Sequence, residues 1–237
     1  MRKTMDKEAF IEALSQHNII LNERQLKQFD NYYHLLIETN KVMNLTNITD
    51  EKEVYLKHFY DSLTPSFEYT FNNQSLCDVG AGAGFPSIPL KIVYPDLKIT
   101  IVDSLNKRIN FLNTLIDTLG LTDVKAIHAR AEDYALNHRE MFDLVTARAV
   151  ARLNILDELC LPLTKVNGTF IALKGRQGLE ELKEAKKGIE ILGGKVNHIQ
   201  EFDLINSDHR INIFINKSLS TPSKYPRNYG KIKKNPL

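Results

Sequence analysis

The chain has 237 residues, 43% apolar and 25% charged, an ordinary globular balance for one large domain or a domain with an extension. No stretch approaches the roughly 20 apolar residues that span a membrane, and the opening MRKTMDKEAF lacks an apolar signal core. Two distant cysteines in apolar runs, Cys77 and Cys160, point to a reduced, cytoplasmic protein without a disulfide framework. The net charge of +2 hides an asymmetry: Lys217 to Leu237 carry six bases and no acid, leaving 25 bases against 29 acids elsewhere, a net of −4.

In chain order, residues 6 to about 70 read as helical. Asp6 caps a helix carrying Phe10, Ile11 and Leu14, and Leu26, Phe29, Tyr33, Leu36 and Ile37 form a second apolar stripe. Asp50 caps a third helix through Val54, Leu56, Phe59 and Leu63, predicted to end before Pro65. From residue 75 the periods alternate between strand and helix, as in a parallel α/β sheet. Strands are predicted at 75–79, 98–102, 124–128, 142–146, 169–173, about 195–203 and 210–216. Helices are predicted at about 86–94, 105–119, from 153, and 179–192. Asn167-Gly168 is the expected turn into the fifth strand. This gives three parts: a helical cap over 1–72, a doubly wound domain over 73–216, and a basic tail over 217–237.

The stretch Asp78-Val79-Gly80-Ala81-Gly82-Ala83-Gly84-Phe85 follows the first strand. Glycines there let the backbone turn sharply and approach a ligand. The second strand ends in Asp103, nineteen residues after Gly84, near the spacing of about 20 for a carboxylate that takes ribose hydroxyls. The loop is not a dinucleotide fingerprint, since its third glycine comes one residue early, and no GxxxxGK[ST] loop exists. The D-x-G-x-G-x-G form resembles motif I of the class I S-adenosylmethionine (SAM) methyltransferases. SAM offers a ribose, an adenine and a sulfonium, and no phosphate.

Other chemistries find little support. Seven histidines show no HExxH or other ligand spacing, so no metal is expected. No GxSxG elbow is present. Cys77 falls inside a strand and Cys160 inside a helix, poor places for a nucleophile. The loop after the fourth strand, Thr146-Ala147-Arg148-Ala149-Val150, lacks the [DN]PP[YF] pattern used on exocyclic amines. An acceptor with a free lone pair, such as guanine N7, needs only to be positioned. Arg148 is the candidate to position it, through its planar fork of donors.

The chain closely resembles the bacterial small-subunit rRNA (guanine-N7) methyltransferase G family, also called glucose-inhibited division protein B. The motifs that carry the resemblance span almost the whole sequence. They are Asn44-Leu45-Thr46, the block His58 to Leu63, Asp78 to Leu90, Val102 to Arg108, Arg130-Ala131-Glu132, Thr146 to Ala151, and the tail Lys224 to Leu237. The resemblance implies a Rossmann-like fold with a seven-stranded sheet and a helical extension. It implies SAM-dependent methylation of a guanine N7 in a 16S rRNA loop near the decoding site. Gly80 and Phe85 match the family's cofactor loop, Ala131 and Glu132 its adenine-side contact, and Arg148 its strand-four arginine. The expected cofactor residues are therefore Asp78, Gly80, Gly82, Gly84, Phe85, Asp103, Ala131, Glu132 and Arg148. Asn228-Tyr229 departs from the family ending, where lysine or small residues are expected.

The tail bases Lys224, Arg227, Lys231, Lys233 and Lys234 are expected to meet RNA phosphates, on naked 16S rRNA or the small ribosomal subunit, with no membrane or metal involved. On composition alone the same segment could equally be a solvated terminus. Its removal is expected to leave SAM affinity unchanged. Two alternatives accompany this assignment: a SAM-dependent methyltransferase of another substrate, and a non-catalytic RNA-binding assembly factor.

Overall fold

A computed structural model describes residues 4–237. Seven strands form one sheet in the order β3-β2-β1-β4-β5-β7-β6: β1 Ser75–Val79, β2 Lys98–Asp103, β3 Val124–His128, β4 Phe142–Arg148, β5 Thr164–Gly175, β6 Gly194–Asp203 and β7 His209–Lys217. All neighbours pair in parallel except β7, which runs antiparallel between β5 and β6. Strand order reverses between β1 and β4, and ligands of doubly wound sheets bind at such a switch point.

The sheet alternates as its residues dictate. In β1, Leu76 packs on one face while Cys77 and Val79 pack on the other. The first face is covered by α1 (Lys7–Ser15), α2 (Glu23–Met43) and the run after Asp50, together with α5 (Ser87–Val93) and α6 (Asn106–Leu119). Phe10, Phe29, Tyr32, Leu36 and Phe59 share a single apolar cluster with Leu76, Ile99, Ile101 and Leu144. The helical N-terminal segment is thus packed into the sheet's own core. The second face is covered by α7 (Ala131–Asn137), α8 (Leu153–Cys160) and α9 (Gly178–Ile191).

Several elements differ from their sequence prediction. The third helix continues past Pro65 as α3 (Glu51–Val54), a π-helical stretch Tyr55–Tyr60, α4 (Asp61–Leu63) and a 3₁₀ turn Thr64–Phe67. Proline is tolerated there because it begins the 3₁₀ turn, where its missing N–H has no helical partner to lose. Asn167-Gly168 is not a turn before β5 but an irregularity within it. The pairing register with β4 shifts there, and a Cβ on Gly168 would lie 2.7 Å from the Asp143 carbonyl. Helix α7 and a tail helix, α10 (Tyr229–Lys234), were not anticipated, since both are short and lack a repeating apolar stripe.

The tail is docked on the body. Tyr225 and Ile232 are buried in the second cluster, and each such burial contributes about 1.5–3 kcal/mol. Among the described residues no helix is long and apolar enough to cross a membrane.

Candidate active site

The glycine loop leaves β1 at the switch point. Gly80, Gly82 and Gly84 all take positive φ, at 70°, 61° and 103°. Their surroundings separate their roles. A Cβ at Gly80 would come within 2.7 Å of a Val150 methyl, and one at Gly84 within 2.8 Å of the Tyr32 hydroxyl and of Ile88. A Cβ at Gly82 would meet nothing within 4 Å. Gly80 and Gly84 therefore make room for protein, and Gly82 faces open space. The cap pins the loop: the buried Tyr32 hydroxyl donates to the Ala83 carbonyl at 2.6 Å.

Asp103 ends β2 beneath this loop and is 2% exposed. Its Oδ2 accepts the Gly82 N–H and the Arg108 guanidinium, both at 3.2 Å, and its Oδ1 accepts the Leu105 N–H at 2.9 Å. These donors fix the carboxylate at the edge of a cavity of about 390 Å³. Gly80, Ala131 and Glu132, expected from the sequence at the cofactor and its adenine side, also line that cavity, and so do Val102, Leu159 and Tyr229.

Asp78 does not belong to that set. It is fully buried, accepts the Ser87 N–H at 3.1 Å, and burial pushes its carboxyl up to about 7. It lies buried behind the loop, where it fixes the start of α5, and not on the cavity wall where its expected role as a cofactor contact would put it. Gly84 is likewise walled off by Tyr32, Ile88 and Leu112.

Phe85 and Arg148 sit on a smaller hollow of about 170 Å³ with Gly80, Gly82, Thr46 and His58. The Phe85 ring stacks between Tyr32 and His58, at centroid distances of 5.3 and 4.4 Å, and the Arg148 guanidinium lies 5.0 Å from its centre. Arg148 ends β4 and reaches into the cap. Its Nη1 donates to the Lys57 carbonyl and to Asp61 Oδ2, and its Nη2 lies 3.0 Å from His58 Nδ1. A guanidinium can only donate, so Nδ1 is the acceptor and His58 Nε2 carries the proton toward Thr46 Oγ1, 2.8 Å away. Burial and then the charge of Arg148 hold His58 down to about 3, so it stays neutral at working pH. Asp61 Oδ1 accepts from Arg210 Nε at 2.9 Å, closing a chain from Thr46 to β7.

Beyond Arg148 opens a second cavity of about 550 Å³. Its walls carry Lys57, Arg148, Arg152, Lys174 and Arg210 against Asp61 and Glu181. The two large cavities share Ala149 and Val150, and Ala149 turns the chain there with a φ of 57°.

The structure places the predicted tail bases unequally. Lys224, Lys231, Lys233 and Lys234 are exposed. Arg227 is not free for a phosphate: its backbone N–H, Nε and Nη2 all donate to the fully buried Glu158, at 2.6–3.1 Å. A buried carboxylate without that partner would carry a large desolvation penalty, so the ion pair holds the arginine inward.

Residues 25–211 match the family profile of rRNA small subunit methyltransferase G. The protein of that name from Staphylococcus epidermidis is 60% identical over 229 residues, covering 95% of this chain and 96% of its own. The one from Staphylococcus carnosus is 56% identical over 238 residues, covering 98% and 99%. The chain belongs to the rRNA small subunit methyltransferase G family. It is a SAM-dependent methyltransferase. Solved structures share the fold alone: a SAM-dependent methyltransferase from Aquifex aeolicus has a TM-score of 0.55 at 16% identity, over 73% of this chain and 96% of that one. TYW2 of P. horikoshii, crystallised with MeSAdo, also has a TM-score of 0.55, at 14% identity, over 67% and 61%.

The first cavity fits the family's cofactor: Gly80 brings the loop backbone to its wall, and the fixed Asp103 carboxylate lies at its edge, while Gly82 leaves open space on the adjoining small hollow. Asp103→Ala should weaken SAM by roughly 10- to 150-fold, the value of about 1.5–3 kcal/mol for a hydrogen bond to a charged group. It should also lower the melting temperature, because the Leu105 and Gly82 N–H groups lose their acceptor. A fall in stability with unchanged affinity by calorimetry would confine Asp103 to packing. No role could be read from the sequence for Thr46, His58, Asp61, Arg108 or Arg210. The first four were visible only as members of motif blocks, and Arg210 carried no local signal.

Proposed function

We propose that this chain methylates the N7 of a guanine in 16S rRNA, in the loop near the decoding site, with the base entering the second cavity. One observation carries the reading: the two cavities meet at Ala149-Val150, at the carboxyl end of β4, so a bound base and the cofactor would face each other across one turn. SAM, when bound, supplies the electrophilic methyl group.

The remaining chemistry is positioning. Cys77 and Cys160 are fully buried with their thiols pushed well up by burial, so neither offers a thiolate. His58 Nδ1 is occupied by Arg148, and its depressed basicity makes it a poor proton acceptor. The cavity's carboxylates are each held by cations, Asp61 by Arg148 and Arg210 and Glu181 by Lys174, so an acceptor that must lose a proton finds no free base there, whereas guanine N7 attacks through a free lone pair. Phe85, His58 and Asp61 hold Arg148 rigidly at the junction, where its charge and planar donors can orient a guanine or its phosphate.

The deciding experiment supplies methyl-labelled SAM to 16S rRNA and to small subunits, cytoplasmic particles on this reading, and maps the product. Label in 7-methylguanosine at one site is expected. Label in another base or in small metabolites would favour a different substrate, and bound SAM without turnover would favour an assembly factor.

The exposed tail lysines should set affinity without reading sequence. With Arg227 committed to Glu158, four bases remain. Replacing Lys224, Lys231, Lys233 and Lys234 by glutamine should flatten the slope of log affinity against log salt by at most about 2.8–3.6 units, at roughly 0.7–0.9 per phosphate. An unaltered slope would place the RNA away from the tail.

A further inference from the structure

The tail does more than hang beside the cofactor cavity; it supplies part of the wall. Beyond β7 the chain is anchored step by step. Lys217 is 1% exposed and donates from its ammonium to the Leu161 carbonyl and the Thr221 hydroxyl. The Arg139 guanidinium binds the carbonyls of Thr221, Pro222 and Tyr225. Arg227 locks onto Glu158, and Asn228 caps α10 by accepting the Lys231 N–H at 3.0 Å. Tyr229 follows directly and lies, half-buried, on the cavity that holds Asp103, Ala131 and Glu132. The same turn of α8 serves both purposes: Glu158 grips the tail, and its neighbour Leu159 lines the cavity beside Tyr229.

We propose that Tyr229 is a cofactor-binding residue, its ring covering the adenosine part of SAM. The inference rests on the assignment of this cavity to that cofactor. The chemistry suits it. Beside its charged residues the cavity offers apolar lining from Val102, Ala131, Val150 and Leu159, and a flat neutral base gains from an aromatic neighbour as well as from lost water contact. The residue is carried on a helix whose next four positions include Lys231 and Lys233. Whatever orders α10 therefore orders one wall of the cofactor site. On this proposal the tail contributes to SAM affinity, against the sequence-based expectation that its removal leaves that affinity unchanged.

Calorimetry on the full chain, with SAM and with S-adenosylhomocysteine as ligands, tests this without any turnover. Tyr229→Ala should weaken both ligands by a similar factor, roughly 3- to 10-fold for an aromatic contact. Tyr229→Phe should bind as the native chain does, and Tyr229→Leu, which keeps apolar packing, serves if the alanine variant melts early. The chain contains no tryptophan, so Tyr229→Trp provides a single reporter whose emission should shift when S-adenosylhomocysteine is added. Asp103→Ala is the control for the cavity itself. If it weakens the ligands while Tyr229→Leu and Tyr229→Ala do not, the tail is no part of the site and the proposal fails alone. If neither position matters, the cavity assignment fails with it. A loss confined to SAM would put the ring near the sulfonium and overturn the adenosine contact.

Discussion

Gly82→Val abolishes SAM binding in a protein that keeps its fold: that is the expected result, and the loop geometry explains both halves of it. A Cβ at Gly82 meets no protein atom within 4 Å, so a side chain there starts out in open space. Valine at a φ of 61° is strained by about 1–3 kcal/mol, a fraction of the roughly 5–15 kcal/mol of a typical domain. The space it fills borders the hollow lined by Gly80, Phe85 and Arg148, where a ligand must pass close to the backbone. Gly84→Val is the contrasting case. Its Cβ would sit 2.8 Å from the Tyr32 hydroxyl and from Ile88, at a φ of 103°, so this variant should lose the fold along with binding. Circular dichroism melts beside calorimetry distinguish the two. Native-like SAM affinity in a folded Gly82→Val protein would show that the loop does not approach the cofactor.

Arg148→Ala should lower turnover by roughly 10²–10³-fold, the usual consequence of deleting one positioned donor, while changing bulk RNA affinity far less. Arg148 lines both the larger cavity and the small hollow beside the glycine loop, and satisfies three acceptors at once: the Lys57 carbonyl, Asp61 and His58. Removing it leaves His58 Nδ1 without its donor and Asp61 with Arg210 alone. Lysine cannot stand in, because a single ammonium cannot reproduce the planar fork, so Arg148→Lys should remain impaired. The change has a signature independent of activity. The Arg148 charge is the second cause, after burial, of the depressed basicity of His58. Its removal should move the His58 titration upward from about 3, read from the imidazole resonances. Since the same residue borders the cofactor loop, SAM affinity is to be measured alongside. Equal losses in turnover and in bulk RNA binding would make Arg148 an RNA anchor instead of a positioning residue.

Much of this site was legible in the chain. Glycines at alternate positions after an apolar run, and an aspartate at the next strand end, are local patterns with a local cause. Positive φ at Gly80, Gly82 and Gly84 and the placement of Asp103 follow from backbone sterics and strand length. The strand and helix periods were readable because each face of the sheet buries a continuous core. The family motifs also pointed to the His58 block without saying what it does.

What the sequence could not show are pairings across distance. Arg227 and Glu158 are 69 residues apart, and nothing local says that this base of the tail is spent on a buried acid. Asp78 reads as a site residue from its place beside the glycines, yet packing decides that it faces α5. Arg148 was visible as a strand-end cation. That its fork closes on a histidine and an aspartate nearly ninety positions earlier depends on how the cap lies against β4. Tyr229 looked like a departure from the family's ending, and only the docked path of the tail brings it to the cavity that holds Asp103 and Glu132. The sequence by itself determined the order of elements, the glycine turn and the second-strand carboxylate, because these depend on sterics and periodicity within a few residues. Which charged groups are buried together, and which remain free to meet RNA, was decided by tertiary structure, because the cost of burying a charge depends on the partner that the fold delivers to it.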